Sequence, residues 1–484
     1  MLHPFSRPTL AAAIATAVMV TGCTSSTNDS GETTVAPTTP VEQATTTSVP
    51  PTTVPTPAAL PIIIDTDVSL DDAMAIPYLL RRPDIEILAV TVSGTGVAYC
   101  EDGVSIVLGL LAVSGAEAVP VACGSDIPID GSNAFPAGWR TGMNAMSTSG
   151  ILPPGGTAAA ATAADLIAEV AHDSPVPPVI LLLGPHTNLA QALRDHPDLE
   201  GDLAGIFMMG GALDALGNTL ENPSAEWNLW IDPVADAEVF ATDLPISIVP
   251  LDATNLVPMT SFFADQLAAH LTTPEAQAVY DLLMLDPTSL ESGFSFWDQL
   301  AAVAMVEPAV AAWHDLDVTV LQGGGPESAG TLAAGIGRPA SVAMAADRRA
   351  FEAEYLTTLT GEIVEASEWR SDATLTISSD GWEYDGPDTV ALGPLTVVVE
   401  NHSERSMVAV HGWLIGEGTW EDLEAYTSIE QPEEFLEVGS IAFVDPRIEA
   451  IWTIDFSVPG LNALVGLDMT TEQVAWRFPV IVEG

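Results

Sequence analysis

A chain of 484 residues is long enough for two or three domains, and 48% hydrophobic content is ample for a large core. Its 66 Asp and Glu face 12 Arg and no Lys, leaving a net charge of −54. A field of that sign repels nucleic acid and anionic membrane surfaces, and it suits neutral or cationic ligands.

Residues 1–23 read as a targeting segment. His3 and Arg7 precede an apolar run from Leu10 to Val20 that is too short to span a bilayer. The run ends Val20-Thr21-Gly22-Cys23, which resembles a bacterial lipobox. That resemblance implies lipidation at Cys23 and an exported lipoprotein, held at the membrane by its lipid anchor, at the cell surface or on the periplasmic side. An ordinary secretory signal with an incidental Cys is the alternative. Residues 24–59 are dense in Thr, Pro and Ser and predict an extended, disordered tether. Cys100 and Cys123 are the other cysteines. Export permits a bridge between them, but sequence leaves a disulfide and two buried thiols equally open.

Ile62-Ile63-Ile64 is a short β-branched run expected of a buried strand. Asp65, Asp67, Asp71 and Asp72 follow within eight positions, and Ala73 to Ile76 then read as helix. Strand, acidic loop and helix start is how an open α/β sheet presents a ligand at its carboxyl edge. So many carboxylates repel one another unless a cation neutralises them, and their hard oxygens select Ca²⁺, Mg²⁺ or Mn²⁺ over Zn²⁺. The competing reading is a solvated loop whose Asp71 or Asp72 favours a helix N-terminus.

Ile85 to Val92 reads as a second strand, ending in Ser93-Gly94-Thr95-Gly96, where glycines allow a close backbone approach to a ligand. Residues 102–114 predict a helix, Val119 to Ala122 a strand, and Ala158 to Ala171 another helix. Between them, 125–157 is rich in Gly, Ser, Asn and Pro and predicts an irregular binding loop bearing Trp139 and Arg140. Val179 to Leu183 and Gly205 to Met209 are strands, each followed by glycine. This alternation predicts an open, mostly parallel sheet with helices on both faces.

Five motifs stand in one order: Asp65 to Asp72, Gly184-Pro185-His186-Thr187-Asn188, Met209-Gly210-Gly211, Ala225 to Pro233, and Trp297-Asp298. Together they resemble the inosine–uridine-preferring nucleoside hydrolase family over about residues 60–360. The resemblance implies calcium-dependent hydrolysis of the N-glycosidic bond of ribonucleosides, releasing ribose and free base. It implies Ca²⁺ ligation by Asp67, Asp72, Asp298 and the Thr187 carbonyl, with Asp67 as general base for a metal-bound water. Asp71 and Asn228 would hold the 2′- and 3′-hydroxyls, and Glu226 and Asn218 the 5′-hydroxyl. Asn222 is an alternative to Asn218, because the interval to Glu226 is two residues longer than usual. Two further departures stand out. Val68-Ser69 replace a frequent Pro-Gly, and Thr95 replaces a frequent Asn. Trp297 stands where well-studied members place the His that protonates the leaving base. Indole cannot serve as that acid but can stack on the base. The leaving-group acid and the preferred base therefore stay open; His186 could be recruited as an acid, but a His in a turn after a strand reads more often as structural.

From about Gly361 the pattern becomes short alternating strands, predicting a small β-sandwich over 361–484 of unassigned function. The expected strands are Ala373 to Ser378, Leu395 to Glu400, Met407 to Leu414, Ile441 to Val444, Ala450 to Phe456 and Val474 to Val482. The run is faintly similar to a cupredoxin-like sandwich, but it has no Cys for a blue-copper centre. His402, His411 and Met407 therefore read as surface and strand residues. Two competing functions remain. A haloacid-dehalogenase-type phosphatase shares the first motif but normally uses a Lys. A catalytically silent nucleoside- or sugar-binding lipoprotein would use the same pocket without turnover. The oligomeric state is left open.

Overall fold

The structure is a computed structural model. It describes residues 59–483 apart from 130, 132, 216, 220, 286, 291–293, 323–329, 370, 380, 404, 406, 416–418, 426–435, 445–448, 469–470 and 472. Cys23, the targeting segment and the tether through residue 58 lie outside the described residues.

The first strand, β1 (Leu60–Thr66), sits inside a nine-stranded sheet. It pairs in parallel with β2 (Ile85–Val92) on one side and β4 (Val179–Leu182) on the other. Ile62 and Ile64 pack into the core on one face and Ile63 into the core on the other. Burial on both faces explains the unbroken apolar run. Beyond β2 lies β3 (Val121–Cys123). Beyond β4 come β5 (Gly205–Met209) and β6 (Ile246–Val249), all parallel. The far side is antiparallel: β7 (Ala311–Val320) lies between β8 (Leu332–Ala334) and β9 (Arg338–Ala346), and β9 joins the sheet alongside β6. Strand order reverses at β1, between β2 and β4, and open α/β sheets bind ligands at such a switch point.

Two expectations are corrected. Within the stretch read as irregular, Ala137–Thr148 is a helix. Gly138 and Gly142 weaken its intrinsic propensity, and tertiary packing supplies the stability instead. Trp139 joins Phe135 and Trp227, while Met146 enters the main core. The helix expected from Ala158 begins at Ala163, because the Thr162 side chain accepts the Asp165 N–H and fixes the start.

Cys100 opens the helix Cys100–Val113 and is joined to Cys123 at the end of β3, with Cα atoms 5.7 Å apart. The two are 23 residues apart in sequence. Closing a loop of that size restricts the unfolded chain by about 3 kcal/mol. Replacing both cysteines by Ser is expected to lower the unfolding free energy by about 2–4 kcal/mol. Denaturant titration checks this, and an unchanged midpoint contradicts it.

The C-terminal strands form two sheets around a shared core, a sandwich. One sheet orders β11 (Gly381–Asp385), β10 (Ala373–Ser378), β13 (Gly393–Asn401) and β16 (Glu449–Phe456). The other orders β12 (Thr389–Ala391), β18 (Gln473–Glu483), β17 (Gly460–Asp468), β14 (Met407–Leu414) and β15 (Leu436–Val444). Leu375, Val397 and Trp452 from one sheet meet Met407, Leu464 and Val480 from the other. His402 lies exposed beside Glu400, 3.1 Å away, and His411 is buried against Asn462 at 2.9 Å. β17 escaped the sequence reading because both its faces are covered, Leu464 inward and Ala463, Val465 and Leu467 outward. It therefore lacks the polar alternation of a half-exposed strand.

Candidate active site

The acidic loop leaves the carboxyl end of β1 and runs into the helix Leu70–Arg81. Asp72 organises it. One of its oxygens accepts the Thr66 hydroxyl and the Asp67 N–H, and the other accepts the Ser69 N–H at 3.0 Å. The helix-capping role expected of an ordinary acidic loop is therefore present, and it coexists with a site. Val68 turns the chain with a φ of 58°, the only positive value among described non-glycine residues. A β-branched residue rarely adopts that conformation; here full burial of the side chain holds it.

Asp67 is buried in a tight slot. Its carboxylate accepts the Val97 N–H at 3.2 Å. A Cβ added at Gly96 would lie 2.1 Å from the Asp67 Cβ, and one at Gly184 2.6 Å from it. The glycines after β2 and β4 thus let the backbone close on this side chain.

Asp71, Asp72 and Asp298 each bring a carboxylate oxygen within 4.8 Å of the others. Asp298 comes from the first turn of the helix Trp297–Val306. This trio includes Asp71, where the resemblance had implied Asp67. Burial raises the proton affinity of Asp67, Asp71 and Asp298 above the usual carboxylate range, and the charge of Asp72 adds to it in each case. The Asp71 carboxyl is pushed up to about 8. Carboxylates that resist sharing one buried space without a counter-charge fit a divalent cation. No His or Cys is among the described residues of the cavity wall, so the donor set is that of a hard cation such as Ca²⁺.

These carboxylates line one side of a cavity of about 850 Å³, together with Glu226, Asn218 and Asn228. Glu226 caps the short helix Trp227–Ile231, accepting N–H groups from Asn228, Leu229 and Gly211. Burial pushes its carboxyl up to about 7 against those bonds. Asn218 accepts the Trp227 N–H at 3.1 Å. Asn222 bonds Thr331 and Ser224 and is absent from the wall, so Asn218 is the one brought to the cavity. The Asn228 amide donates to the carbonyls of Leu183 and Met209 at the ends of β4 and β5.

Thr187 and Thr95 lie beneath this surface. The Thr187 hydroxyl donates to Asp232 at 2.8 Å and meets Thr95 at 3.1 Å, and Thr95 meets Ser93 at 3.0 Å. This chain of hydroxyls fixes the turn bearing the Thr187 carbonyl. Asp65 is also below the floor, accepting from Thr91 and Asn188 and tying β1 to its neighbours. His186 is fully buried 2.9 Å from Asp236.

The rest of the cavity lining is largely apolar and aromatic, and includes Phe135, Trp139, Met143, Met146, Trp227, Leu282, Leu285, Phe294 and Trp297. Trp297 lies 5.3 Å from Phe294, and Phe135 stacks on Trp227 at 5.0 Å. Sequence reasoning named Trp297 here, and Trp139 only as part of an irregular binding loop. Trp139, Met143 and Met146, spaced four and three apart, carried a helical period that the surrounding glycines obscured.

Residues 62–353 match the family described as inosine-uridine preferring nucleoside hydrolase. The chain belongs to that family. Among curated relatives, the pyrimidine-specific ribonucleoside hydrolase RihA of Citrobacter koseri is 34% identical over 197 residues, and that of Salmonella enteritidis 36%. The matched segment covers 41% of this chain and 62% of each relative's length. Three solved structures share the fold. The inosine-uridine preferring nucleoside hydrolase of Bacillus anthracis has a TM-score of 0.55 at 25% identity, covering 62% of this chain and 99% of its own. A plant nucleoside hydrolase gives 0.56 at 25% identity with the same coverage. An inosine-guanosine nucleoside hydrolase gives 0.55 at 26%, covering 63% and 99%. The region matched by the family ends at residue 353, before the first strand of the C-terminal sandwich at Ala373.

Proposed function

We propose that the chain is a calcium-dependent hydrolase of the N-glycosidic bond of ribonucleosides. The observation that carries this reading is the cavity itself. Five carboxylates, Asp67, Asp71, Asp72, Glu226 and Asp298, line it together with a set of aromatic rings, within the region matching the family. Asp72 and Asp298, with Asp67 or Asp71 and the Thr187 carbonyl, would hold the cation. When bound, Ca²⁺ would orient the ribose diol and lower the pKa of a water. Asp71 and Asn228 bind the 2′- and 3′-hydroxyls, and Glu226 and Asn218 the 5′-hydroxyl. As the bond breaks, positive charge grows on the ribose, and the surrounding carboxylates stabilise it. Asp67 removes the proton of the attacking water. The rings of Trp297 and its neighbours hold the base by its face.

Incubation with a nucleoside panel, with and without a calcium chelator, tests this. Free ribose and base are expected only when calcium is present. Recovery of intact, bound nucleoside under both conditions would support the silent-binder reading instead.

We further propose export and lipid anchoring through Cys23. No helix among the described residues is long and apolar enough to cross a membrane. Acylation at Cys23 would supply the anchor. Membrane-fraction recovery is expected for the full chain and its loss for Cys23→Ser. Soluble secretion of the unmutated chain rules the anchor out.

A further inference from the structure

We propose that this cavity selects nucleosides whose base carries a fixed positive charge, such as an N-ribosylated pyridinium, over neutral pyrimidine or purine nucleosides. The inference rests on the hydrolase reading above and names the substrate class of the same site.

The first observation is the chemistry of the wall. Its described residues include no His, Lys, Arg, Tyr or Cys. The buried His186 is turned to Asp236 rather than to the cavity, and Trp297 occupies the position immediately before Asp298. A neutral base leaves as an anion and needs a proton from a positioned acid, a contribution typically of about 10²–10⁴ in rate. A pyridinium base needs none. When its C1′–N bond breaks, the electron pair stays on the ring nitrogen and the base departs as a neutral heterocycle. The water oxygen bonds to C1′, and the water proton passes to Asp67. Atoms and charge balance without a leaving-group acid.

The second observation is the pairing of charge and rings. Every ionisable side chain on the described wall is a carboxylate: Asp67, Asp71, Asp72, Glu226 and Asp298. Aromatic rings in contact with one another line the same cavity, Trp139 edge-on to Trp227 at 5.3 Å and Phe294 beside Trp297 at 5.3 Å. Trp139 and Phe294 are also partly exposed to solvent. Ring faces attract a cation, and no cationic side chain on the described wall competes for them. A neutral base would gain stacking alone.

The test uses the full chain with calcium. The substrates are N-ribosylnicotinamide, its reduced dihydropyridine form (neutral and nearly the same in shape), uridine and inosine. The charged riboside is expected to show kcat/KM at least about 100-fold above uridine and inosine. Binding is read separately on the Asp67→Asn variant by quenching of tryptophan fluorescence. There the charged riboside is expected to bind at least about tenfold more tightly than the reduced form, a margin that shrinks in Trp297→Leu. Comparable turnover of uridine or inosine, or equal affinity for the charged and reduced forms, overturns the preference and leaves the hydrolase reading intact. Hydrolysis of no substrate at all overturns both.

Discussion

Asp67→Asn is expected to lower kcat by about 10²–10⁴ while leaving KM within about threefold. The argument is geometric. Asp67 lies in a slot bounded by Gly96 and Gly184, and its carboxylate accepts the Val97 N–H. An Asn of the same shape fits that slot, and its amide oxygen can take the same N–H. Its NH₂ would face Asp72, whose charge is now among the causes of the raised Asp67 proton affinity. The substitution therefore removes a buried, repelled carboxylate and costs little in folding. It also removes the carboxylate proposed to accept the proton from the attacking water. The groups on Asn228 and Glu226 proposed to bind the sugar are untouched, which is why KM should hold. Steady-state ribose release with a parallel melting curve measures both effects. A kcat within tenfold of the parent, in a folded variant, would assign the base elsewhere.

The second large effect belongs to Asp298→Ala. Losing a group that merely supports a metal ligand typically weakens binding 10- to 100-fold, so losing a ligand should exceed about 100-fold. The consequence for stability reverses with calcium. Without it, Asp298 is a buried carboxyl whose neighbours Asp72 and Asp71 oppose its charge, so its removal should leave the melting temperature unchanged or raised. With calcium at about 100 times its dissociation constant, the parent gains about 2.7 kcal/mol, and the variant should gain almost nothing. Thr187→Ala is the matched control. It removes the hydroxyl bonded to Asp232 and Thr95 but keeps the backbone carbonyl, so calcium binding should survive. Calorimetric titration of the three proteins reads this directly. Equal calcium affinity in Asp298→Ala and the parent would sink the assignment.

Much of the sheet was legible because its signals are local. Ile62 to Ile64 announce a strand buried on both faces, and the acid-rich turn follows within the same short window. What was not legible depends on contacts distant in sequence. Asp298 reaches the loop from a helix more than 200 residues on, and only its motif, not its spacing, pointed there. The trio of Asp71, Asp72 and Asp298 is a property of side-chain placement that no one-dimensional pattern encodes. The helix that carries Trp139, Met143 and Met146 to the aromatic wall was missed for a different reason. Gly138 and Gly142 argue against a helix, yet Trp139 and Met146 find partners that outweigh local propensity. Thr95, read only as a replacement for a frequent Asn, is buried in the line of hydroxyls that holds Thr187, a role that rests on contact with a residue distant in sequence.

The slot around Asp67 has a consequence for how tolerance to mutation will look in this protein. Gly96 and Gly184 do not line the cavity, yet neither position has room for one methyl group beside the Asp67 side chain. In a saturation library scored by turnover, both should read as intolerant as Asp67 itself. A map drawn from such a library would therefore show a catalytic footprint larger than the set of groups that ever touch a substrate. The excess would mark where main chain, rather than neighbouring side chains, aims the carboxylate.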